Sequence, residues 1–194
     1  MIVRQPGLCH IQIRPGSQPQ PPWGCFPGPE KGGEHIEALG LVRVDDRLIH
    51  GQVVAVWCKH QPFSRILIVD DGVAADPFMQ EVLRLAAPPG LPVEVLSVAE
   101  GIRTLSADFP DRRTTMVLLK SPHTAKQLYD GGVEYRALNI GGIGNAPGRK
   151  NIFKNIAVSE EEMRILKSLH DQGVTITLLT VPGEKSKAFA DLVR

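Results

Sequence analysis

The chain has 194 residues, of which 42% are hydrophobic and 22% charged, and its formal net charge is +1. These values describe a globular protein large enough for one well-buried domain, and near-neutral charge argues against nucleic acid or anionic membrane as the main partner. No apolar run reaches the roughly 20 residues of a membrane span, and the start of the chain does not resemble a signal peptide. The three cysteines form no Cys-x-x-Cys pair, so a disulfide framework or zinc site is not expected and a reducing cytoplasm fits best.

Residues 1–38 differ in composition from the rest of the chain. They contain seven of the 16 prolines and several glycines, a composition that does not fold alone. We expect a disordered or linker-like tail here, which a linker, a cloning remnant or an over-long start would explain. The folded domain is expected over residues 39–194.

From Gly40 onward, short runs rich in Val, Ile and Leu alternate with helical patterns. Seven runs are predicted as strands: 41–45, 65–70, 93–97, 115–120, 136–140, 152–158 and 174–181. Most are apolar throughout, which is typical of strands buried on both faces. The alternation predicts an α/β fold, an open, doubly wound, mostly parallel seven-stranded sheet with helices on both faces. One of the last strands can be antiparallel.

Several helix starts and stops can be read from the sequence. Ser97 with Glu100, and Ser159 with Glu162, have the spacing of capping boxes. Ser121 precedes a proline, which predicts a cap followed by proline at the first helical position. These signals place helices directly after three of the predicted strands.

The first predicted strand leads into the run Asp45-Asp46-Arg47-Leu-Ile-His50-Gly51, after which a helix is predicted over 51–59. In open α/β sheets, ligands bind outside the carboxyl ends of the strands, where helix N-termini converge. A neutral imidazole at that edge is nucleophilic near pH 7 and can form a phosphoramidate. The pattern therefore favours a histidine, His50, that accepts and releases a phosphoryl group.

Groups around His50 are expected to stabilise the phosphoryl oxygens. The backbone N–H groups of Gly51 and Gln52 lie at the positive end of the predicted helix. Arg47 can add a bidentate contact. Ser121 follows the fourth predicted strand and can donate a hydrogen bond to the phosphoryl group, although helix capping is its safer role.

Four carboxylates are expected near the same edge of the sheet. Asp45 or Asp46 can hydrogen-bond the second ring nitrogen of His50, which would fix its tautomer and raise its nucleophilicity. With Asp70 and Asp71 they could also form a magnesium site. Capping and turn formation are favoured instead, since unshielded carboxylates would repel a phosphoryl group. No metal or other cofactor is expected.

The run Leu-Val-Arg-Val-Asp-Asp-Arg-Leu-Ile-His-Gly-Gln-Val, residues 41–53, resembles the signature of the IIB component of the mannose/fructose/sorbose class of the bacterial phosphotransferase system. The similarity continues through residues 66–76, 118–122 and 138–142 and on towards the C-terminus. Members of this family share a mostly parallel sheet of seven strands.

This resemblance implies a protein-Nπ-phosphohistidine–sugar phosphotransferase. His50 would receive a phosphoryl group from a phosphohistidine on a separate IIA protein and pass it to a sugar entering through the membrane components IIC and IID. It also implies a cytoplasmic protein held at the inner face of the membrane through the permease, and allows a homodimer. The identity of the sugar stays open.

Docking to an acidic IIA donor calls for a basic rim, for which we expect Arg43, Arg47, Arg149 and Lys150. The glycine-rich stretch 141–150 is expected to be either a mobile loop near the active edge or a plain connection. Cys58 is interpreted as a buried structural thiol.

Two other functions remain open at this point. One is a receiver-like regulator that forms a phosphoaspartate with Mg²⁺ and Lys120. The other is a non-catalytic IIB-like sensor that binds partners of the sugar system but transfers nothing. A dinucleotide-binding domain is poorly supported, because no Gly-x-Gly-x-x-Gly follows the first predicted strand.

Overall fold

A computed structural model of the chain describes residues 39–107, 109 and 111–193, apart from the side chains of residues 52–55. The predicted tail, residues 1–38, lies outside the described residues. Strands and helices alternate along the described chain. In chain order they are β1 (Leu41–Asp45), α1 (Gly51–His60), β2 (Arg65–Val69), α2 (Asp71–Ala74), α3 (Pro77–Ala86), β3 (Val93–Leu96), α4 (Val98–Ser106), β4 (Thr115–Leu119), α5 (Pro122–Asp130), β5 (Ala137–Gly142), β6 (Lys150–Phe153), β7 (Ile156–Val158), α6 (Glu160–Asp171), β8 (Thr175–Leu178) and β9 (Lys187–Ala188).

The main sheet has seven strands in the order β3-β2-β4-β1-β5-β8-β9. All neighbouring strands pair in parallel except β8 and β9, which are antiparallel. The chain moves towards β3 through α1 and α3, and back towards β9 through α4, α5 and α6. Because such crossovers are right-handed, this reversal places the two groups of helices on opposite faces. The predicted fold class is confirmed.

The reversal makes β1 the topological switch point of the sheet. It pairs with β4 on one side and β5 on the other, and the helices that follow β1 and β4 leave towards opposite faces. The carboxyl end of such a strand opens into a crevice between helix N-termini. The segment that follows β1 contains His50.

The count of seven strands agrees with the prediction, but one member differs. The predicted strand 152–158 was wrong as a single strand: it contains a turn, and β6 and β7 form a separate two-stranded antiparallel sheet. Lys154 has a positive φ of 42°, and the Asn151 amide donates to the Lys154 carbonyl at 2.6 Å. These features turn the chain back on itself. The seventh strand of the main sheet is instead β9, which is two residues long.

The predicted helix caps are confirmed. Ser97 and Ser159 form capping boxes with Glu100 and Glu162, and Ser121 accepts from the backbone N–H of Thr124. The four central strands, β1, β2, β4 and β5, are buried except at the first residue of β1, β2 and β5, as their apolar runs predict. Among the described residues, no helix is both long and apolar enough to cross a bilayer.

Candidate active site

His50 lies in a tight loop between β1 and α1. The loop begins with a turn in which the Leu48 N–H donates to the Asp45 carbonyl at 2.9 Å. Leu48 has a positive φ of 55°, a conformation that is unusual for a side chain branched at Cγ, and its side chain is buried. This fold of the backbone sets His50 at the N-cap position of α1, with extended dihedrals.

The imidazole of His50 is half-buried and points back into its own loop. Its Nδ1 lies 3.1 Å from the Leu48 carbonyl oxygen, and its Nε2 is buried with no hydrogen-bond partner among the described residues. Because a carbonyl only accepts, Nδ1 carries the proton in this arrangement and Nε2 holds the free lone pair. The prediction that Asp45 or Asp46 contacts the ring was wrong. The turn at Leu48 brings a backbone carbonyl to that position instead.

The N-terminus of α1 differs from the other long helices. The His50 side chain makes no capping hydrogen bond, and the first turn contains no acidic residue. The helices that begin after Asp76, Ser97, Ser121 and Ser159 all have a capping side chain. The predicted phosphoryl-binding groups, the N–H groups of Gly51 and Gln52, lie in this first turn, while the side chain of Gln52 is outside the described set.

Arg47 is held in place by Asp45. Its Nε and Nη2 lie 3.1 and 3.4 Å from the two oxygens of that carboxylate. The Asp45 carboxylate is fully buried, whereas the Arg47 side chain is 48% exposed. Arg47 therefore presents a cation to solvent, on the same loop as His50, from a buried anchor.

Arg43 is the second cation on Asp45, and it is completely buried. Its Nη2 lies 2.8 Å from Asp45 Oδ2, and the guanidinium also donates to Asn139 and to the carbonyls of Leu179 and Thr180. It lies over the ring of Trp57, 5.3 Å from the centroid. The prediction that Arg43 belongs to an exposed docking rim was therefore wrong.

Burial and charge act against each other on Arg43. Burial lowers the pKa of Arg43 to about 10, against the opposing attraction of Asp45, so the guanidinium stays charged at neutral pH. Gly141 makes the arrangement possible, since a Cβ at that position would overlap the guanidinium. The buried pair fixes the carboxylate that orients Arg47.

Asp46 joins the His50 loop to the glycine-rich stretch 141–150. Its Oδ2 accepts from the Gly144 N–H at 2.6 Å. Arg149 Nη1 donates to the Gly144 carbonyl at 2.9 Å, and its Nε and Nη2 bind Glu162 at 3.0 and 2.6 Å. The stretch therefore lies at the active edge of the sheet and is tied to it from both sides.

The two predicted docking residues of this stretch, Arg149 and Lys150, differ in the exposure of their side chains. The Arg149 side chain is only 25% exposed and its guanidinium is bound by Glu162, so its place in an exposed rim was wrong. Lys150 is 81% exposed, with a distant ion pair of 3.7 Å to Glu160. Of the four predicted docking cations, Arg47 and Lys150 are accessible.

The remaining predicted polar groups have local partners. Asp70 caps α2 by accepting from the Val73 N–H at 2.9 Å, and Asp71 accepts from the Val98 N–H at 2.8 Å. Ser121 caps α5. In the described part of the chain, no group of three or more His, Cys, Asp or Glu side chains could hold a metal ion. Cys58 is half-buried, and burial raises the pKa of its thiol.

Residues that the sequence interpretation missed support the site from β5 and the neighbouring turns. Asn139 and Gly141 accommodate Arg43, and Asn155, in the β6–β7 turn, accepts a hydrogen bond from Thr180 Oγ1 at 3.0 Å. One signal could have found the buried pair: Arg43 and Asp45 alternate with valines in β1 and so point to the same face. No comparable signal marks Asn155.

Comparison with known proteins identifies the family. The family model described as the PTS system sorbose subfamily IIB component matches residues 39–194. The chain belongs to this family. The resemblance of the first motif is thereby confirmed, and IIB components of this system take part in sugar phosphotransfer.

Individual relatives agree with this assignment. The sorbose-specific EIIB component of Klebsiella pneumoniae is 34% identical over 155 residues, which cover 80% of this chain and 94% of that protein. The mannose-specific EIIAB component of Escherichia coli (strain K12) is 32% identical over 167 residues, which cover 86% of this chain and 52% of that protein. The chain therefore spans about half the length of the EIIAB components that it matches.

Solved IIB structures share the fold. The IIBSor domain of the sorbose permease from Klebsiella pneumoniae superposes with a TM-score of 0.75 at 33% identity, covering 81% of this chain and 96% of that one. The structure of manxB from Thermoanaerobacter tengcongensis gives a TM-score of 0.75 at 35% identity, covering 82% of this chain and 96% of that one. The mostly parallel α/β architecture is thus the fold of the IIB family.

Proposed function

We propose that this chain is a phosphocarrier of a sugar-transporting phosphotransferase system, and that His50 carries the phosphoryl group. The observation that supports this most is the N-terminus of α1. An imidazole lies at the topological switch point. It stands beside the first N–H groups of α1, which the His50 side chain does not cap, and beside an arginine that Asp45 holds on the same loop. These are the groups that a phosphohistidine needs: a nucleophile, and donors for the phosphoryl oxygens.

In the first transfer, the donor is a phosphohistidine on a IIA protein or domain. A ring nitrogen of His50 uses its lone pair to form a new N–P bond while the donor's N–P bond breaks and the donor ring regains its lone pair. Phosphoryl transfer of this kind needs mainly alignment and charge stabilisation. Arg47 and the first N–H groups of α1 supply that stabilisation.

The ring must move before it can react. Nδ1 is engaged with the Leu48 carbonyl, and Nε2 is enclosed. We propose that the imidazole turns outward about its side-chain torsions, which exposes a nitrogen and releases the carbonyl contact, and that a docked donor protein holds it in this position. The closed arrangement would protect the ring from reaction between transfer events.

In the second transfer, a hydroxyl oxygen of the sugar attacks phosphorus. The N–P bond to His50 breaks and its electron pair returns to the ring nitrogen, the hydroxyl proton passes to water, and a sugar phosphate forms. The sugar is presented by the membrane components IIC and IID, so the carrier would work in the cytoplasm at the inner face of the membrane. Arg47 and Lys150 are the accessible cations through which an acidic partner would dock.

Reconstitution tests this proposal. The chain is supplied with phosphoenolpyruvate, the general phosphotransferase proteins, candidate IIA donors and membranes that contain IIC and IID, and sugar phosphate is measured. We expect His50→Gln to abolish sugar phosphorylation while the fold is unchanged by circular dichroism, and Cys58→Ala to retain it. Sugar phosphate formed at the normal rate by His50→Gln would refute the proposal.

A further inference from the structure

The carboxyl edge of the sheet contains a second potential hydrogen-bond donor to the phosphoryl group, close to Arg47. It is the side-chain amide of Asn155, which lies in the turn between β6 and β7 and is exposed to solvent. That turn reaches the active edge because the Ile143 N–H donates to the Asn155 carbonyl at 3.3 Å, and the Ala157 N–H donates to the Ile143 carbonyl at 2.9 Å. The turn is thus bonded to the segment that directly follows β5.

Arg47 and Asn155 both approach Gly142. A Cβ built on Gly142 would lie 3.1 Å from Arg47 Nη2 and 3.2 Å from Asn155 Nδ2. Gly142 pairs with Asp45 at the end of β1. Because Gly142 has no side chain, both donors can approach its Cα closely, and they lie near enough to each other to reach different oxygens of one phosphoryl group.

The orientation of the Asn155 amide is set by Thr180. The Thr180 hydroxyl donates to Asn155 Oδ1 at 3.0 Å, so the NH₂ group is the end that faces Gly142 and Arg47. Thr180 is itself fixed at the end of β8, where its carbonyl accepts from Arg43 at 2.9 Å. The support of Asn155 is therefore linked to the buried arginine that also fixes Asp45.

The charges at this point favour an anion. Asp45 Oδ1 lies 3.2 Å from the same point, but this carboxylate is shared between Arg43 and Arg47. The two guanidinium groups together more than compensate the charge of this one carboxylate. A phosphoryl group brings negative charge and acceptor oxygens, which is what an arginine and an amide NH₂ bind together.

We propose that Asn155, oriented by Thr180, is a phosphoryl-binding residue that contacts the group carried by His50 together with Arg47. This inference rests on the proposed phosphocarrier function and adds a residue to its site. Asn155 would stabilise both the charge that develops during transfer and the phosphohistidine that results.

Two substitutions separate a donor role from a structural one. Asn155→Asp keeps the oxygen that accepts from Thr180 but replaces the NH₂ donor with a negative oxygen, whereas Asn155→Ala removes both. If Asn155 has only a structural role, Asn155→Asp should be milder than Asn155→Ala. If its NH₂ group donates a hydrogen bond to the phosphoryl group, Asn155→Asp should be the more harmful of the two. Asn145→Asp is the matched control, because it puts the same charge on an exposed asparagine of the neighbouring 141–150 stretch.

The experiment uses potassium phosphoramidate, a small phosphoryl donor that leaves as ammonia and requires no protein docking. The full chain is incubated with it, and the rate of phosphorylation of His50 and the hydrolytic lifetime of the product are followed by ³¹P NMR. We expect Asn155→Ala to slow phosphorylation about 10-fold and Asn155→Asp about 100-fold, as expected for a lost hydrogen bond to a charged group and then an added repulsion. Thr180→Val should have a smaller effect in the same direction, and Asn145→Asp should stay within about twofold of wild type.

The outcomes are distinguishable. If the wild-type chain is not phosphorylated on His50 by phosphoramidate or by a IIA donor, the proposed function fails and this inference with it. If His50 is phosphorylated but Asn155→Asp reacts like wild type, or no more slowly than Asn145→Asp, the phosphocarrier stands and the role of Asn155 is refuted.

Discussion

The N-termini of α1 and α6 lie on the same edge of the sheet but are built differently. At α6, Ser159 Oγ accepts from the Glu162 N–H at 3.1 Å, Glu162 Oε2 accepts from the Ser159 N–H at 2.8 Å, and the first turn has three acidic residues. At α1, the N-cap is His50, with neither a side-chain cap nor an acidic first turn. The chain satisfies the N-terminus of α6 with its own side chains, whereas the N-cap side chain of α1 leaves the first N–H groups of that helix uncapped. The difference suggests that α1 gives up local stability for phosphoryl binding.

The largest effect is expected when α1 is given a capping side chain like that of α6. His50→Ser supplies a hydroxyl at an N-cap position whose extended backbone suits serine. Phosphoryl acceptance should fall to background, while the free energy of unfolding rises by about 1 kcal/mol from the new cap. Phosphate labelling and urea unfolding measure the two effects. A variant that loses both labelling and stability would contradict the trade-off.

A substitution at Gly141 should disrupt the buried Arg43–Asp45 pair, which holds Arg47 in place. Gly141→Ala would place a methyl group on the Arg43 guanidinium, which has no room to move, and should destabilise the fold by about 1–3 kcal/mol and slow phosphoryl acceptance. Gly51→Ala is the stability control, because no atom lies within 4 Å of a Cβ built there. Equal unfolding midpoints for the two variants in urea would show that the Arg43–Asp45 pair does not depend on Gly141.

Removal of Arg47 tests the cation at the open end of the site. Arg47→Ala should slow phosphoryl acceptance about 100-fold, as is typical for loss of one charge-stabilising donor. Its effect on unfolding should stay within about 1 kcal/mol, because the Arg47 side chain is half exposed and the buried Asp45 keeps its ion pair with Arg43. Rapid-quench labelling gives the rate. If Arg47→Lys restores the full rate, a planar two-pronged contact is not required.

The capped N-terminus of α6 should make the free energy of unfolding depend on pH. Burial opposes ionisation of Glu162, but hydrogen bonds from Arg149 and from the Ser159 N–H outweigh it and hold the pKa of Glu162 below its usual 4.5. Its contribution to stability is therefore complete above pH 4.5 and is lost as the pH falls through the lower folded-state pKa. Glu162→Gln should be less stable than wild type by about 1–3 kcal/mol at pH 7, and the difference should shrink under acid. A difference that stays constant from pH 7 to pH 3 in urea titrations would count against this.

Cys58, which lies further along α1, should have the smallest effect. Burial raises the pKa of its thiol, so little thiolate is present at neutral pH. Cys58→Ala should leave phosphoryl acceptance unchanged, and wild-type Cys58 should react slowly with iodoacetamide at pH 7. Loss of labelling in Cys58→Ala would mean that the last turn of α1 takes part in phosphoryl transfer.

Much of the fold could be predicted because its signals are local. The apolar runs of the buried strands and the capping residues, such as Ser97 and Ser159, each determine their own segment. The turn between β6 and β7 was missed because it depends on one residue, Lys154, in a left-handed conformation inside an otherwise strand-like run. The strand β9 was missed because two residues carry no periodicity.

The site was predicted less completely, for a related reason. The location of His50 and Arg47 follows from the end of a strand and the start of a helix. The partners of Arg43 and of the His50 ring depend on contacts between distant segments and on the turn at Leu48, which no local pattern specifies. Periodicity in β1 could have shown that Arg43 and Asp45 share a face, but not that this face is buried or which residues surround it.

The most direct test locates the phosphate on the wild-type chain. The chain is labelled from a phosphorylated IIA donor, digested, and the modified residue is identified by mass spectrometry together with the acid and base stability of the bond. If His50 carries the phosphoryl group, we expect one acid-labile, base-stable phosphate on the peptide that contains His50. A base-labile phosphate on Asp45, Asp46, Asp70 or Asp71, or a phosphate on Cys58, would contradict it.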